Sequence, residues 1–257
     1  MAESDNYAII SDLHSNLEAL TAVFEDIERR KIPVVHCLGD VVGYGPDPEE
    51  CVDLVREKCA SCVRGNHDDA LFTGADRFHA LAQAAIRFTR DRLRPRLLRG
   101  RRNTPRWEWL KELPLRKRQG EVLLVHGSPV DPVSEYVYHE DVYFNADSKL
   151  RRIFEHTDLV VFNGHTHLPG VITSEMETFV PNDENDTYHL DAGRKHIVNV
   201  GSVGQPRDRD PRACYLEVRG DRVVWHRVPY DFKKTAEKIN RIPLLDEILG
   251  IRLSKGM

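Results

Sequence analysis

The hydrophobic pattern opens with a short apolar run, Tyr7 to Ile10, that stops at Ser11-Asp12 as a buried first strand does. Leu17, Leu20, Phe24 and Ile27 then recur at spacings of three, four and three, which is one face of an amphipathic helix. Pro33 closes that unit, and Val34 to Leu38 predicts a second strand. In the loop that follows, Gly43-Tyr44-Gly45-Pro46-Asp47-Pro48, Asp47 is the expected cap of the next helix. Pro48 falls at its first position and Glu50 where a capping box needs it. That helix is expected to reach Lys58, and Ser61 to Arg64 predicts a third strand leading into Gly65-Asn66-His67-Asp68-Asp69. Three short strands alternating with two helices predict a parallel βαβαβ start.

Residues 75 to 113 have helical periodicity, broken near Pro95 and Pro105. Glu121 to Val125 is another apolar strand, ending in His126-Gly127, and Leu159 to Phe162 repeats the pattern before Asn163-Gly164-His165. After Gly170 the texture becomes β-rich. Val171 to Phe179, Ile197 to Val200, Tyr215 to Val218 and Val223 to Val228 are separated by turn chemistry such as Gly220-Asp221. Pro181 to Asp186 is an acidic hairpin tip, and a last amphipathic segment runs from Phe232 past Pro243 to Leu249. No repeat, low-complexity tract or linker interrupts the pattern. Residues 1–257 are therefore expected to form one domain with a basic helical insert at 75–118.

Composition narrows the partners. With 40% hydrophobic and 30% charged residues the chain is that of an ordinary globular protein. A formal net charge of -4 argues against a protein that coats nucleic acid or anionic membrane. No apolar stretch approaches the roughly 18 residues that span a bilayer, and the N-terminus does not resemble a signal peptide. Five cysteines at irregular spacing make no disulfide framework, so a reducing cytoplasm is the expected location. Charge is uneven, however: between Arg87 and Arg118 thirteen Lys and Arg face three acids, Asp91, Glu108 and Glu112. That stretch reads as a solvated helix face, as a rim drawing anionic substrate or, least of all, as a nucleic-acid contact. Trp107 and Trp109 within it are read as core anchors rather than base-stacking groups.

The chemistry gathers at strand ends. Asp12 and His14, Asp40, Asn66 and His67, His126, and His165 and His167 each lie just beyond an apolar run and near a turn-favouring residue. A parallel sheet places such ends along one edge, so residues far apart in sequence converge there. Asp40, after an apolar strand and a glycine, is costly to bury unless it is paired or binds metal, and is read as bridging two ions. Imidazole, carboxylate and amide oxygen suit manganese, iron, cobalt, nickel or zinc. Two ions about 3.5–4 Å apart would clamp the attacking and leaving oxygens of an in-line displacement.

These blocks resemble the calcineurin-like metallophosphoesterases. The match is Asp12-Leu13-His14, then 24 residues to Gly39-Asp40, another 24 to Gly65-Asn66-His67-Asp68, then Val125-His126-Gly127 and Gly164-His165-Thr166-His167. Asn199 to Asp208 also looks like the Gly-Ser-Val-Gly loop of the small prokaryotic phosphodiesterase-type branch. The resemblance implies an α/β fold of two packed mixed β-sheets flanked by helices, a four-layer α/β/β/α sandwich.

It also implies roles. Asp12, His14 and His167 would hold one metal and Asn66, His126 and His165 the other, with Asp40 bridging them beside a metal-activated hydroxide. His67 would be the general acid, or at least a donor to the transferring phosphoryl group, and Asp68 would orient it. Two divalent ions are expected, manganese first, with iron, nickel, cobalt or zinc as alternatives. Asn16, Tyr44 and Arg207 are the candidate substrate contacts; the bland alternatives are a helix cap, a packing tyrosine and a loop salt bridge. His36, His79, His139, His156, His189, His196 and His226 match no motif position, and Cys59-Ala60-Ser61-Cys62 is read as packing rather than a zinc site.

The expected activity is hydrolysis of a small phosphorylated substrate. Phosphodiesterase action on small nucleotides ranks first and dinucleoside polyphosphate hydrolysis second. A nuclease or a non-catalytic metal-binding scaffold would be alternatives of another class.

Overall fold

Strand β1 (Asn6–Ile10) sends side chains into two different cores. In the computed structural model of the chain, which describes residues 6–95 and 100–257, Ile9 packs between two sheets while Ala8 and Ile10 face helices. A strand buried on both faces reads as an unbroken apolar run, which is why Tyr7 to Ile10 shows no polar alternation.

Around β1 the first sheet is built from β2 (Val35–Cys37), β3 (Ser61–Cys62), β9 (Thr187–His189), β11 (Ala213–Arg219) and β12 (Arg222–Val228). Its order is β3-β2-β1-β11-β12-β9. The predicted parallel start is present, since β2 pairs in parallel with both β1 and β3. On its other side β1 pairs antiparallel with β11, so the first and last thirds of the chain share one sheet.

The second sheet comprises β4 (Arg116–Gln119), β5 (Val122–Val125), β6 (Val160–Asn163), β7 (Gly170–Thr173), β8 (Thr178–Phe179) and β10 (His196–Asn199). Its order is β4-β5-β6-β10-β7-β8, with β5, β6 and β10 parallel. The two sheets meet over Ile9, Leu38, Phe162, Val198, Leu216 and Trp225. The indole of Trp225 donates to the Asn199 carbonyl across that layer at 2.9 Å, so its buried N–H is satisfied.

Helices cover both outer faces. Helices α1 (Leu17–Arg29), α2 (Pro48–Lys58), α3 (Asn66–Thr73), α4 (Ala80–Leu93) and α5 (Gly100–Glu112) bury Leu20, Phe24, Val52, Leu71, Ile86 and Leu110 against the first sheet. Short helices α6 (Asp141–Phe144) and α7 (Arg151–Glu155) lie in the segment that covers the second, where Leu150, Ile153 and Phe154 meet Ile172 and Ile197. The result is the two-sheet sandwich with flanking helices that the resemblance implies. At the C-terminus α8 (Phe232–Asn240) and α9 (Ile248–Leu253) pack with α4 and Tyr44.

Several local expectations need correction. Asp47 occupies the cap position of α2, but its side chain makes no bond to the first turn; the carboxylate takes a Lys238 ammonium at 2.8 Å instead. Val171 to Phe179 is a β7–β8 hairpin rather than one strand, and Asn66 already begins α3. Pro105 lies inside α5. A proline there removes one backbone bond, but Trp107, Trp109 and Leu110 pin the same helix to the core.

Part of the basic stretch is ion-paired. The Arg92 Nε donates to Glu49 and the Arg106 Nε to Asp53, each at 2.8 Å, and Arg118 pairs with Asp158. Arg96 and Arg99 lie outside the described residues. Among the described residues no helix is long and apolar enough to cross a membrane.

Candidate metal centre

The sequence-predicted residues converge at one edge of the sandwich. Asp12 and His14 follow β1, Asp40 follows β2, Asn66 follows β3, His126 follows β5, and His165 and His167 follow β6. To turn inward there, the backbone adopts left-handed conformations at non-glycine residues: Asp12 (φ 54), His14 (φ 48), Asp40 (φ 50), His165 (φ 66) and His167 (φ 63), with Ser15 and Tyr44 (both φ 53) beside them. Each costs roughly 1–2 kcal/mol in isolation, and such strain collects at functional sites. Hydrogen bonds hold it in place. The amides of Leu13 and His14 both donate to the Asp40 carbonyl at 2.9 Å, tying the first two loops together. Gly164 has a physical reason as well, because a Cβ there would lie 2.4 Å from Asp12 Oδ2.

Four imidazoles have their protons fixed by carbonyls. The Nδ1 of His14, His126 and His167 meets the carbonyls of Val42 (3.3 Å), Leu38 (3.0 Å) and Gln205 (2.5 Å). The Nε2 of His165 meets that of Ser134 at 3.2 Å. A carbonyl only accepts, so each of these nitrogens carries the proton and the other presents a lone pair. Those lone pairs face one another: His14 Nε2 and His167 Nε2 are 3.2 Å apart, and His126 Nε2 and His165 Nδ1 are 3.1 Å apart. Facing lone pairs repel unless a cation lies between them, and the orientation matches the outer hydrogen bonds that aim histidine ligands at a metal.

Oxygens complete the set. Asp12 Oδ1 lies 3.2 Å from His167 Nε2 and is buried without a hydrogen-bond donor of its own. The Asn66 Oδ1 is 3.0 Å from His126 Nε2. Between the two groups sits Asp40, whose Oδ1 accepts from the His67 amide at 2.8 Å. Its Oδ2 is 3.7 Å from His14 Nε2 and 3.5 Å from His126 Nε2. Ligand atoms of Asp12, His14 and His167 all fall within 4.8 Å of one another, and so do those of Asp12, Asp40 and His126.

Burial dominates the electrostatics. It drives Asp40 well above the usual carboxylate range, helped by the nearby carboxylates of Asp68 and Asp12. It also pushes His14, His67 and His165 well below the usual imidazole value, so these rings are neutral near pH 7. Asp12 is the exception: burial raises it, but His167 and the other imidazoles outweigh that and hold it low. Imidazole lone pairs beside a buried Asp40 whose charge is costly without a cation are a donor set that fits divalent ions.

The site opens into a cleft of about 680 Å³ lined by Asp40, Tyr44, Asn66, His67, His165 and Arg207. Its walls include residues that carry no sequence motif: Phe78 and His79 before α4, Tyr136 in the loop after β5, and Arg252 on α9. Tyr136 stacks on His165 with ring centroids 3.8 Å apart. Among the described residues none of α4, α5 or β4 lines the cleft, which leaves the basic stretch outside it.

Two candidate roles change. Asn16 caps α1, accepting from the Ala19 amide at 3.2 Å, while its Nδ2 donates to the Gly204 carbonyl at 2.8 Å. The side chain is buried and fully engaged, so the cap replaces the expected substrate contact. Asp68 does not hydrogen-bond to the His67 ring, whose Nδ1 has no partner. Its carboxylate instead accepts from the amides of Val42 (3.2 Å) and Gly65 (3.0 Å). It positions the loop that carries Asp40.

Comparison with known proteins accords with this geometry. The profile of the calcineurin-like phosphoesterase superfamily domain matches residues 6–221. The chain belongs to that superfamily. It is 36% identical to the uncharacterized protein MJ0912 of Methanocaldococcus jannaschii over 260 residues, covering 97% of each chain. The crystal structure of a metallophosphoesterase from Sphaerobacter thermophilus superposes with a TM-score of 0.81 at 36% identity, over 98% of this chain and 99% of that one. The hypothetical protein PH1004 from Pyrococcus horikoshii OT3 shares the fold with a TM-score of 0.72 at 22% identity, over 98% of both chains. As a calcineurin-like phosphoesterase the chain is a phosphoester hydrolase of a metal-dependent family.

Proposed function

We propose that the chain is a phosphodiesterase acting on small nucleotide-type substrates with two divalent ions. One observation carries this reading: two imidazole pairs present facing lone pairs, and a single Asp40 oxygen lies between them. Asp12, His14 and His167 would hold one ion, Asn66, His126 and His165 the other, and Asp40 both. When bound, such ions supply Lewis acidity at the phosphoryl oxygens and lower the pKa of an adjacent water.

The chain's own residues do the rest. His67 lines the cleft beside Tyr44, with ring centroids 4.5 Å apart. A neutral ring favours its role as an N–H donor to the transferring phosphoryl group over delivery of a full proton. Arg207 adds a positive charge on the same cleft. Phe78, Tyr44 and Tyr136 give apolar walls on the scale of a nucleoside. The position of the basic stretch outside the cleft weighs against a nuclease groove. Five free cysteines accord with a reducing cytoplasm.

The test is a panel of phosphomonoesters, phosphodiesters, cyclic nucleotides and dinucleoside polyphosphates, each with manganese, nickel, cobalt and magnesium. Metal-dependent turnover is expected with manganese, and faster on phosphodiesters than on phosphomonoesters. No turnover of any diester with any metal would overturn the reading.

A further inference from the structure

We propose that Arg252 and Arg207 form a second anion site in the catalytic cleft, which selects substrates carrying another phosphoryl group beside the scissile one. This rests on the phosphodiesterase reading and names the substrate class of the same site.

Both guanidinium groups line the cleft that holds Asp40, Asn66 and His165. Arg207 stands on the loop after β10; its Nη2 donates to Gln205 Oε1 at 2.9 Å, while its Nε is buried without a partner. Arg252 arrives from the opposite end of the chain, on α9, and its Nε donates to the main-chain oxygen of Met257 at 3.1 Å. Neither guanidinium meets an aspartate or glutamate side chain among the described residues, whereas Arg92, Arg106, Arg212 and Arg227 all do. Arg207 and Arg252, neither with a side-chain carboxylate partner, oppose each other in a half-buried cleft. Burial and then the charge of Arg207 lower Arg252, with Tyr44 the countervailing influence. An anion held between them removes that cost and replaces it with charge-assisted hydrogen bonds.

Arg252 is held rigidly. Leu249 and Leu253, one on each side of it in α9, are buried in the same cluster as Tyr44 and Ile239. Gly250 brings α9 against α8, since a Cβ there would lie 3.0 Å from that of Ala236. These helices lie beyond residue 221, where the superfamily profile ends. A simple phosphodiester carries one negative charge at phosphorus, whereas a neighbouring phosphoryl group adds more and suits two planar forks better than a point charge.

Calorimetry on metal-stripped protein tests the assignment directly. Inorganic pyrophosphate is expected to bind about tenfold tighter than orthophosphate, and Arg252→Gln to remove most of that preference. In the manganese-loaded protein, the kcat/KM ratio for diadenosine tetraphosphate over bis(p-nitrophenyl) phosphate is expected to fall about tenfold in Arg252→Gln, mainly through KM. Should the glutamine variant unfold, Arg252→Lys keeps the charge, loses the fork and is expected to lower the preference partway. Equal binding of the two anions, or a preference that survives both variants, overturns the proposal. If the loaded protein turned over neither substrate, the phosphodiesterase reading would fail while the pyrophosphate measurement still decided the role of Arg252.

Discussion

Gly65 leaves no room for a side chain beside Asp40: a Cβ at this position would lie 2.1 Å from Asp40 Oδ1. The glycine and the carboxylate come from different strand ends, so the contact fixes the spacing of two loops. Gly65→Ala is expected to displace the bridging carboxylate and lower bound metal and turnover together by about tenfold or more, with the sheets intact. Elemental analysis and circular dichroism of the same preparation check this. A variant with full metal content would show that the loop adapts.

Asp40→Ala has a broader expected effect. Because one oxygen lies between both histidine pairs, its loss should abolish the rise in melting temperature that manganese gives the unmodified chain. Ligand-linked stabilisation reaches about 2.7 kcal/mol at a hundredfold excess over Kd. A thermal melt with and without manganese measures it. A variant still stabilised to the same degree would remove the bridge from the scheme.

His67→Ala separates binding from chemistry. The ring lines the cleft, yet its Nδ1 has no partner and it belongs to neither proposed ligand set. Turnover on a phosphodiester should fall about 10²–10³-fold, the range for losing one donor to a developing oxyanion, while metal content stays near that of the unmodified chain. Loss of metal would instead make His67 a ligand.

Acid stability has a separate origin, far from the cleft. Asp26 is held at about 2 against an ordinary 3.8; burial raises it, but hydrogen bonds from Arg30, Tyr215 and Arg29 prevail. A depressed carboxyl contributes fully above 3.8, and that contribution is lost as pH falls towards about 2. Tyr215→Phe removes a 2.7 Å bond to Asp26 Oδ2 and should cost about 1 kcal/mol at neutral pH. Denaturant unfolding at a series of pH values should show that difference shrinking towards the acid end. A difference constant in pH would assign the cost to packing alone.

Arg106 probes the basic stretch. Its guanidinium engages Asp53 and Asn103 rather than the cleft. Arg106→Gln should lower stability by about 1 kcal/mol or less and leave the salt dependence of KM as it was. A reduced salt slope would restore substrate steering by this surface.

The centre was legible because each ligand terminates an apolar strand, and parallel strands share an edge; Asp12, Asp40 and His165 are marked in this way by position alone. Asn16 was ambiguous because a capping amide and a substrate-binding amide look alike until their partners are known. Asp68 was misassigned to its chain neighbour, since sequence adjacency to His67 says nothing about the amides of Val42 and Gly65 across the loop. Tyr136 and Arg252 were invisible: one lies in an irregular loop and the other on a short helix, and no periodicity marks either. Edge strands β4 and β9 escaped for a related reason, because half-exposed short strands carry no apolar run.

The pairing of β1 with β11 bears on how the enzyme is made. Every proposed metal ligand has left the ribosome once residue 167 emerges, yet the strand carrying Asp12 gains its second neighbour only with residues 213–219. A nascent chain stopped between those points holds all its ligands on an open sheet edge. Metal capture is thus expected to follow completion of synthesis, so the ion a cell installs reflects the pools met by the finished chain rather than by the growing one.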